Sequence, residues 1–189
     1  MNNYWENRYR NGGNSGEGSY NEYARHKADI VNSLINKLNI KKISDYGCGD
    51  GNQISLFEGF KEYHGYDISP YIVGKCTEKY KNRTDMYFHY DKNELPKSDL
   101  SLSLDVIYHI MDDNVLENYL TFMFNNSDKY VLIFSSNHDD NEENKARDIM
   151  VHRIITDIIK RIIKNFELVE VIDNNLKTSA KFLLYKRIE

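Results

Sequence analysis

The chain has 189 residues, 40% of them hydrophobic and 29% charged, which is enough to bury one proper core in a single domain. Its formal net charge of -4 argues against a general nucleic-acid binder, which needs a basic footprint to displace counterions from phosphates. Two cysteines, Cys48 and Cys76, exclude a disulfide scaffold and a thiolate zinc site and fit a reducing, cytoplasmic setting.

The N-terminal MNNYWENRYRNGG has no apolar core like that of a signal peptide, and no apolar run approaches the roughly 20 residues that cross a bilayer, so no membrane partner is expected. It leads into GGNSGEGS. These glycines permit many conformations, which suits residues 1–19 acting as a lid over bound ligand, with Trp5 and Tyr9 as aromatic walls. The spacing of Ile30, Val31, Leu34, Ile35 and Leu38 predicts a helix over 20–38. Strands are expected at 42–46, 63–67, 86–90, 100–106 and 130–135, alternating with helices at 52–60, 70–80 and 113–125. Asp112 and Asp113 supply caps for the last of these helices. This βα alternation points to a parallel, doubly wound sheet. A long helix is expected after Asn144, with an apolar side from Ile154 to Ile163. Two further strands follow at 167–173 and 181–187, and the short link NNLKTSA between them requires antiparallel pairing. The expected fold is therefore an α/β, Rossmann-like sheet of seven strands with the last antiparallel.

The stretch DYGCGDG, at 45–51, places three glycines at alternate positions directly after the first strand. A nucleoside-triphosphate loop would carry a lysine and a hydroxyl residue after its last glycine, whereas Gly51 is followed by Asn52 and Gln53. A dinucleotide fingerprint spaces its glycines as GxGxxG, whereas Gly47, Gly49 and Gly51 read GxGxG with Asp45 and Asp50 beside them. Those acids would repel a pyrophosphate and suit a cationic ligand. Asp67 ends the second strand some 20 residues after Gly47, where a carboxylate can accept both ribose hydroxyls. The pattern describes a nucleoside with a positive charge and no phosphates.

Over nearly its whole length the sequence resembles the class I methyltransferases that use S-adenosylmethionine. DYGCGDG is similar to their glycine-rich first motif, and Asp67 to their ribose acid. Asp91 is similar to the acid near the adenine amino group, DLSLSLDVIYHI at 99–110 to the fourth-strand motif, and the final strand pair to their reversed seventh strand. The resemblance implies that Asp45, Gly47, Cys48, Gly49, Gly51, Asp67, Ile68, Asp91, Asp105 and Trp5 surround the cofactor. YWENRYRNGGNSGEGS and VHRIITDIIK, at 151–160, resemble a subgroup of small methyltransferases of bacterial surface-polysaccharide (capsule) pathways, whose acceptors include phosphoramidate groups. That implies a small acceptor, anionic or sugar-linked.

Methyl transfer from a sulfonium needs two aligned substrates and, for a neutral hydroxyl, a base. His109 follows the fourth strand on the edge where open parallel sheets bind ligands, and is the expected base. The competing reading is a histidine that bonds to backbone and positions the next helix. Asp105 could face the cofactor or hold the turn after its strand. Tyr108, His138, His152 and Arg153 are the expected acceptor-binding residues, Arg153 as a bidentate grip on an anion. Against that stands an exposed Arg153–Asp157 pair one helical turn apart. The histidines lack HxxxH and HExxH spacings, so no metal site is expected. A protein or nucleic-acid methyltransferase, a non-catalytic S-adenosylmethionine-binding protein and a nicotinamide oxidoreductase are the alternatives, the last disfavoured by the GxGxG spacing with acids.

Overall fold

The computed structural model describes residues 2–141 and 149–188. The helices are α1 (Asn2–Arg10), α2 (Asn21–Lys37), α3 (Pro70–Lys79), α4 (Asp113–Asn125) and α5 (Ile155–Ile162). The strands are β1 (Lys42–Tyr46), β2 (Glu62–Tyr66), β3 (Met86–His89), β4 (Ser98–Leu104), β5 (Ser127–Ser136), β6 (Phe166–Asp173) and β7 (Ala180–Arg187). They form a seven-stranded sheet in the order β3-β2-β1-β4-β5-β7-β6. β1, β2 and β3 run parallel, and β7 runs antiparallel to β5 and to β6. Among the described residues no helix is long and apolar enough to cross a membrane.

Local chemistry explains the helix starts. Ser69 precedes Pro70 and accepts from the Ile72 amide at 3.2 Å, a capped first turn with proline in a position that needs no N–H. Asp112 does the same for α4, accepting from the Val115 amide at 3.0 Å. Two expected helices differ. In place of 52–60 there is one 3-10 turn, Gln53–Leu56, followed by an extended Phe57. Asn32 of α2 takes hold of this segment, donating to the Leu56 carbonyl at 3.0 Å and accepting from the Glu58 amide at 2.9 Å. Those bonds hold it in a non-helical path. The expected helix after Asn144 begins in residues outside those described, and 150–154 are non-helical, so α5 starts only at Ile155. Asn141 brackets His152, accepting from its amide at 2.7 Å and donating to its carbonyl at 3.1 Å, which removes both groups from a helical ladder.

The chain divides into two compact units, Asn2–Asp99 and Leu100–Glu189. In the first, Tyr63 of β2, Phe88 of β3 and Tyr80 at the end of α3 pack ring against ring. The opposite face of β1–β3 carries Lys42, Glu62, His64, Tyr87 and His89. Among the described residues the connection leaving β3 in this unit contains only the short turn Lys92–Glu94, so that connection lays no helix over that face. In the second unit Phe124, Phe166 and Tyr185 form an edge-to-face cluster. β6 has no partner beyond β7 in the strand order. It is bulged between Leu168 and Glu170 and leaves Leu168, Val169 and Val171 exposed.

Candidate functional site

The glycine loop leaves β1 with its first two amides captured by one acceptor: Gly47 and Cys48 both donate to the Tyr66 carbonyl, at 2.7 and 3.0 Å. Gly49 and Gly51 lie in the left-handed region, with φ of 57° and 68°, where a side chain is strained. Space is also denied. A Cβ on Gly51 would meet the Tyr80 ring at 2.9 Å and Cys76 Sγ at 3.1 Å, and one on Gly49 would run into Ser15 and stand 3.2 Å from the Tyr9 hydroxyl. At these two positions the close approach is made by the protein's own chain.

At Gly51 it is α3 and the residue after it, and at Gly49 it is the N-terminal strap. Ser15 and Asp50 bond reciprocally, the Ser15 amide donating to the Asp50 carboxylate at 2.9 Å and the Asp50 amide to Ser15 Oγ at 2.8 Å. Tyr20 donates to the same carboxylate at 2.7 Å. Glu6 of α1 accepts from the Ser69 hydroxyl and, at 3.4 Å, from the Tyr71 amide. The Ser69 hydrogen bond is the main reason why the Glu6 carboxyl is held below its usual range, with Arg10 helping. Trp5 leans on Tyr9, with centroids 5.9 Å apart. Thus GGNSGEGS, expected to be conformationally free, is pinned to the glycine loop. Only the glycine content signalled the segment, because its partners lie 30 or more residues away.

Asp67 sits under the loop, 6% exposed. One carboxylate oxygen accepts from the Gly49 amide at 3.1 Å and the other from the Ser69 amide at 2.9 Å, which leaves each oxygen further acceptor capacity. Burial pushes its pKa up to about 6; the two backbone donors oppose this, and the neighbouring charges of Asp50 and Glu6 add to it. Ile68, half-buried, follows it. Asp91 caps the turn after β3, accepting from the Asn93 amide at 2.9 Å. Asp45 is turned elsewhere. Its carboxylate is buried on β1, accepts from Tyr63 Oη at 2.8 Å, and is raised by burial to about 6. Burial likewise holds the Cys48 thiol far above its ordinary range. A floor of backbone amides and buried or half-buried acids suits a ligand with hydroxyl groups and positive charge and opposes a phosphate.

The second unit gathers most of the expected acceptor residues. Asp105, just after β4, has a left-handed backbone (φ 62°), an uncommon conformation for a residue other than glycine. Its amide donates to the Phe134 carbonyl at 3.1 Å, and its carboxylate accepts from Tyr108 Oη at 2.7 Å. His109 Nδ1 lies 2.8 Å from the Ile149 carbonyl. A carbonyl can only accept, so Nδ1 carries a proton. Tyr108 packs edge-on against His109 at 4.7 Å and lies 6.0 Å from the His152 ring. His152 Nδ1 is 2.6 Å from Ser136 Oγ, and the His138 ring lies 4.7 Å away, tied through Nε2 to Ser179 Oγ at 3.0 Å. Burial first, and His138 second, lower the His152 pKa. Ser136, Ser179 and Asn141 carried no sequence signal for this cluster.

Arg153, expected to grip an anion, is held within the fold. Its guanidinium donates to Asp113 at 2.8 Å, to the Ile110 carbonyl at 3.0 Å and to the Met111 carbonyl at 2.8 Å, and its side chain is 12% exposed. The expected partner Asp157 is also replaced, because residue 153 precedes α5 and is not one turn away from Asp157 on it. Among the described residues no group of three or more metal-ligating side chains is placed to hold a metal ion.

No family model matches the sequence, and no curated protein matches it. Solved structures do. The magnesium protoporphyrin IX methyltransferase of Synechocystis PCC 6803 with bound S-adenosylhomocysteine matches over 99% of this chain and 98% of its own, with a TM-score of 0.72 and 18% identity. The N-methyltransferase NodS of Bradyrhizobium japonicum WM9 matches over 90% of this chain and 99% of its own, at 0.71 and 14%. An S-adenosylmethionine-dependent methyltransferase from Clostridium acetobutylicum matches over 90% and 93%, at 0.67 and 14%. The fold is the class I methyltransferase fold, as its strand order and reversed β7 require.

Proposed function

We propose that this chain transfers a methyl group from S-adenosylmethionine to a small acceptor. The observation that carries the proposal is Asp67, a buried carboxylate bonded to the glycine loop through the Gly49 amide, with negative neighbours that would reject phosphates. The donor set fits the cofactor. Asp67 would accept the ribose hydroxyls and Asp91 the adenine amino group. The loop from Gly47 to Gly51 would form the floor, Trp5 and Ile68 the walls, and the strap 1–19 a lid. Asp45 and Asp105 would act through the frame, since Tyr63 and Tyr108 occupy their carboxylates.

The cofactor supplies an electrophilic methyl on a sulfonium; the rest is done by side chains. His109, its ring oriented by the Nδ1 bond to Ile149, would be the base for an acceptor hydroxyl. His138 and His152 would take the acceptor's anionic group. An anion would favour the protonated form of His152, against the burial and the neighbouring His138 that lower its pKa. This supports a phosphate- or phosphoramidate-like acceptor; a sugar-linked acceptor and a place in surface-polysaccharide biosynthesis in the cytoplasm rest on the sequence resemblance alone.

Calorimetry with S-adenosylhomocysteine tests the first half. Asp67→Ala should weaken binding by roughly 2 kcal/mol, the scale of lost charge-assisted hydrogen bonds. Unchanged affinity in the folded variant, or tight NAD binding by the parent, overturns the reading. Methyl-labelled cofactor incubated with cell-surface precursors tests the second: His109→Ala should lower turnover about a hundredfold and leave cofactor affinity intact.

A further inference from the structure

The face of β1–β3 over which the connection leaving β3 lays no helix holds a chain of titratable side chains outside the site described above. Lys42 Nζ lies 2.9 Å from Glu62 Oε1, and the same oxygen lies 2.7 Å from His64 Nε2. His64 Nδ1 lies 2.9 Å from His89 Nε2, and His89 Nδ1 lies 3.3 Å from Glu94 Oε2. Tyr87 stacks on His64 at 4.9 Å. The two imidazoles are not stacked on each other. Centroids 5.2 Å apart and planes 17° apart, with nitrogens at 2.9 Å, describe rings placed edge to edge along a single N–H···N line.

Counting protons gives the charge at which every one of these bonds is made. Glu62, held below its usual range by Lys42 and then by His64, can only accept, so His64 Nε2 carries a proton. One proton must lie between the rings. Glu94 asks for a third, on His89 Nδ1. Two neutral rings hold two protons and leave His89 Nδ1 bare against a carboxylate; two imidazolium rings hold four and set N–H against N–H at the centre. Three protons, one positive charge on two rings, is the state that makes every bond. A metal ion in place of the shared proton would have to push the rings apart, and among the described residues no third ligand is placed to join them.

We propose that His64 and His89 share one proton as an imidazole–imidazolium pair, and that this pair is a pH-sensitive staple between β2 and β3 that governs cofactor binding. The link to the cofactor rests on the methyltransferase reading above and is short: the His89 carbonyl accepts from the Asp67 amide at 3.2 Å, and Asp91 lies two residues after His89. A second added proton breaks the central bond and loosens the strand ends that carry both acids. Loss of one proton from the pair at higher pH empties His89 Nδ1, keeps the central bond and costs only the bond to Glu94, whose side chain is 56% exposed. The staple therefore releases on the acid side.

Nitrogen-15 NMR of the imidazoles in the full chain, from pH 4.5 to 8.5, reads the pair directly. His64 and His89 should titrate together in two separated steps, with one N–H resonance shared between them. Glu94→Gln, a change at an exposed position, should lower the upper step. S-adenosylhomocysteine affinity should fall on acidification more steeply in the parent than in His89→Gln, which can donate to His64 but cannot titrate; the ionisation of Asp67, common to both, cancels in the comparison. Two independent single-step titrations unaffected by Glu94→Gln overturn the shared proton. Superimposable affinity profiles for parent and His89→Gln overturn the control of binding. Failure to bind cofactor at any pH sinks the link to cofactor binding together with the methyltransferase reading, while the NMR result still decides the pair.

Discussion

Asp45 and Asp67 are buried acids, each raised by burial to about 6. Folding to hold such a group ionised is unfavourable. The unfolded carboxyl gives up its proton near pH 4, so between there and about pH 6 the folded state binds more protons, and the cost grows as pH rises through that window. Above it the cost is full, on the order of 2–3 kcal/mol for each group. Asp67→Asn should therefore gain stability relative to the parent as pH rises from 4 to 7, with the difference levelling off above about 6; paired thermal melts across that range check it. Reading the difference matters, because His64 and His152, both lowered mainly by burial, lose stability in the opposite direction as pH falls. A parallel pair of melting curves would show that Asp67 is ordinary in the folded chain. The place of Asp67 beside the glycine loop was legible in the sequence because strand ends and glycine spacing are local signals. The turn of Asp45 onto Tyr63 was not, since strand residues alternate faces and nothing local says which face receives a hydroxyl.

Among the elements, the segment before α5 shows what a pattern of apolar residues cannot reveal. The isoleucines of 154–163 have helical spacing, and α5 does form from them, with Ile155 and Ile159 buried. Residues 151–153 are drawn off the helix by distant partners: Val151 donates to the Tyr108 carbonyl at 2.8 Å, Asn141 brackets His152, and Arg153 reaches the turn before α4. Each partner is 10 or more residues away in sequence, outside the reach of any periodicity. Arg153 then has a mechanical task, joining this segment to residues 110–113. Arg153→Ala would leave the Ile110 and Met111 carbonyls without that donor and should cost about 2–3 kcal/mol in denaturant unfolding. Arg153→Lys should recover only part of it, because an ammonium cannot span carbonyl, carbonyl and carboxylate in one plane. Full stability in the alanine variant, with a raised Michaelis constant for the acceptor, would return Arg153 to the anion-binding role.

At the scale of the whole molecule, alternation of strand and helix patterns carried the strand sequence and the reversed β7, because the six-residue link between β6 and β7 admits no crossover. What stayed hidden was that a short turn replaces the helix expected after β1. The outer strand β6 has a consequence for molecules in company. Its backbone groups beyond β7 are a template for another chain, and Leu168, Val169 and Val171 are 40%, 44% and 49% exposed. Two features stand guard: the bulge, which twists the edge, and the carboxylates of Glu167 and Glu170, which make one such strand repel its copy. Glu167→Thr with Glu170→Thr removes the repulsion and keeps strand propensity, so light scattering and thioflavin fluorescence of the variant should rise with concentration where the parent's stay flat. If the double variant stays as dispersed as the parent, the bulge alone suffices. The same two glutamates then set how concentrated the protein can be in a cell or a crystallisation drop before it begins to build fibres.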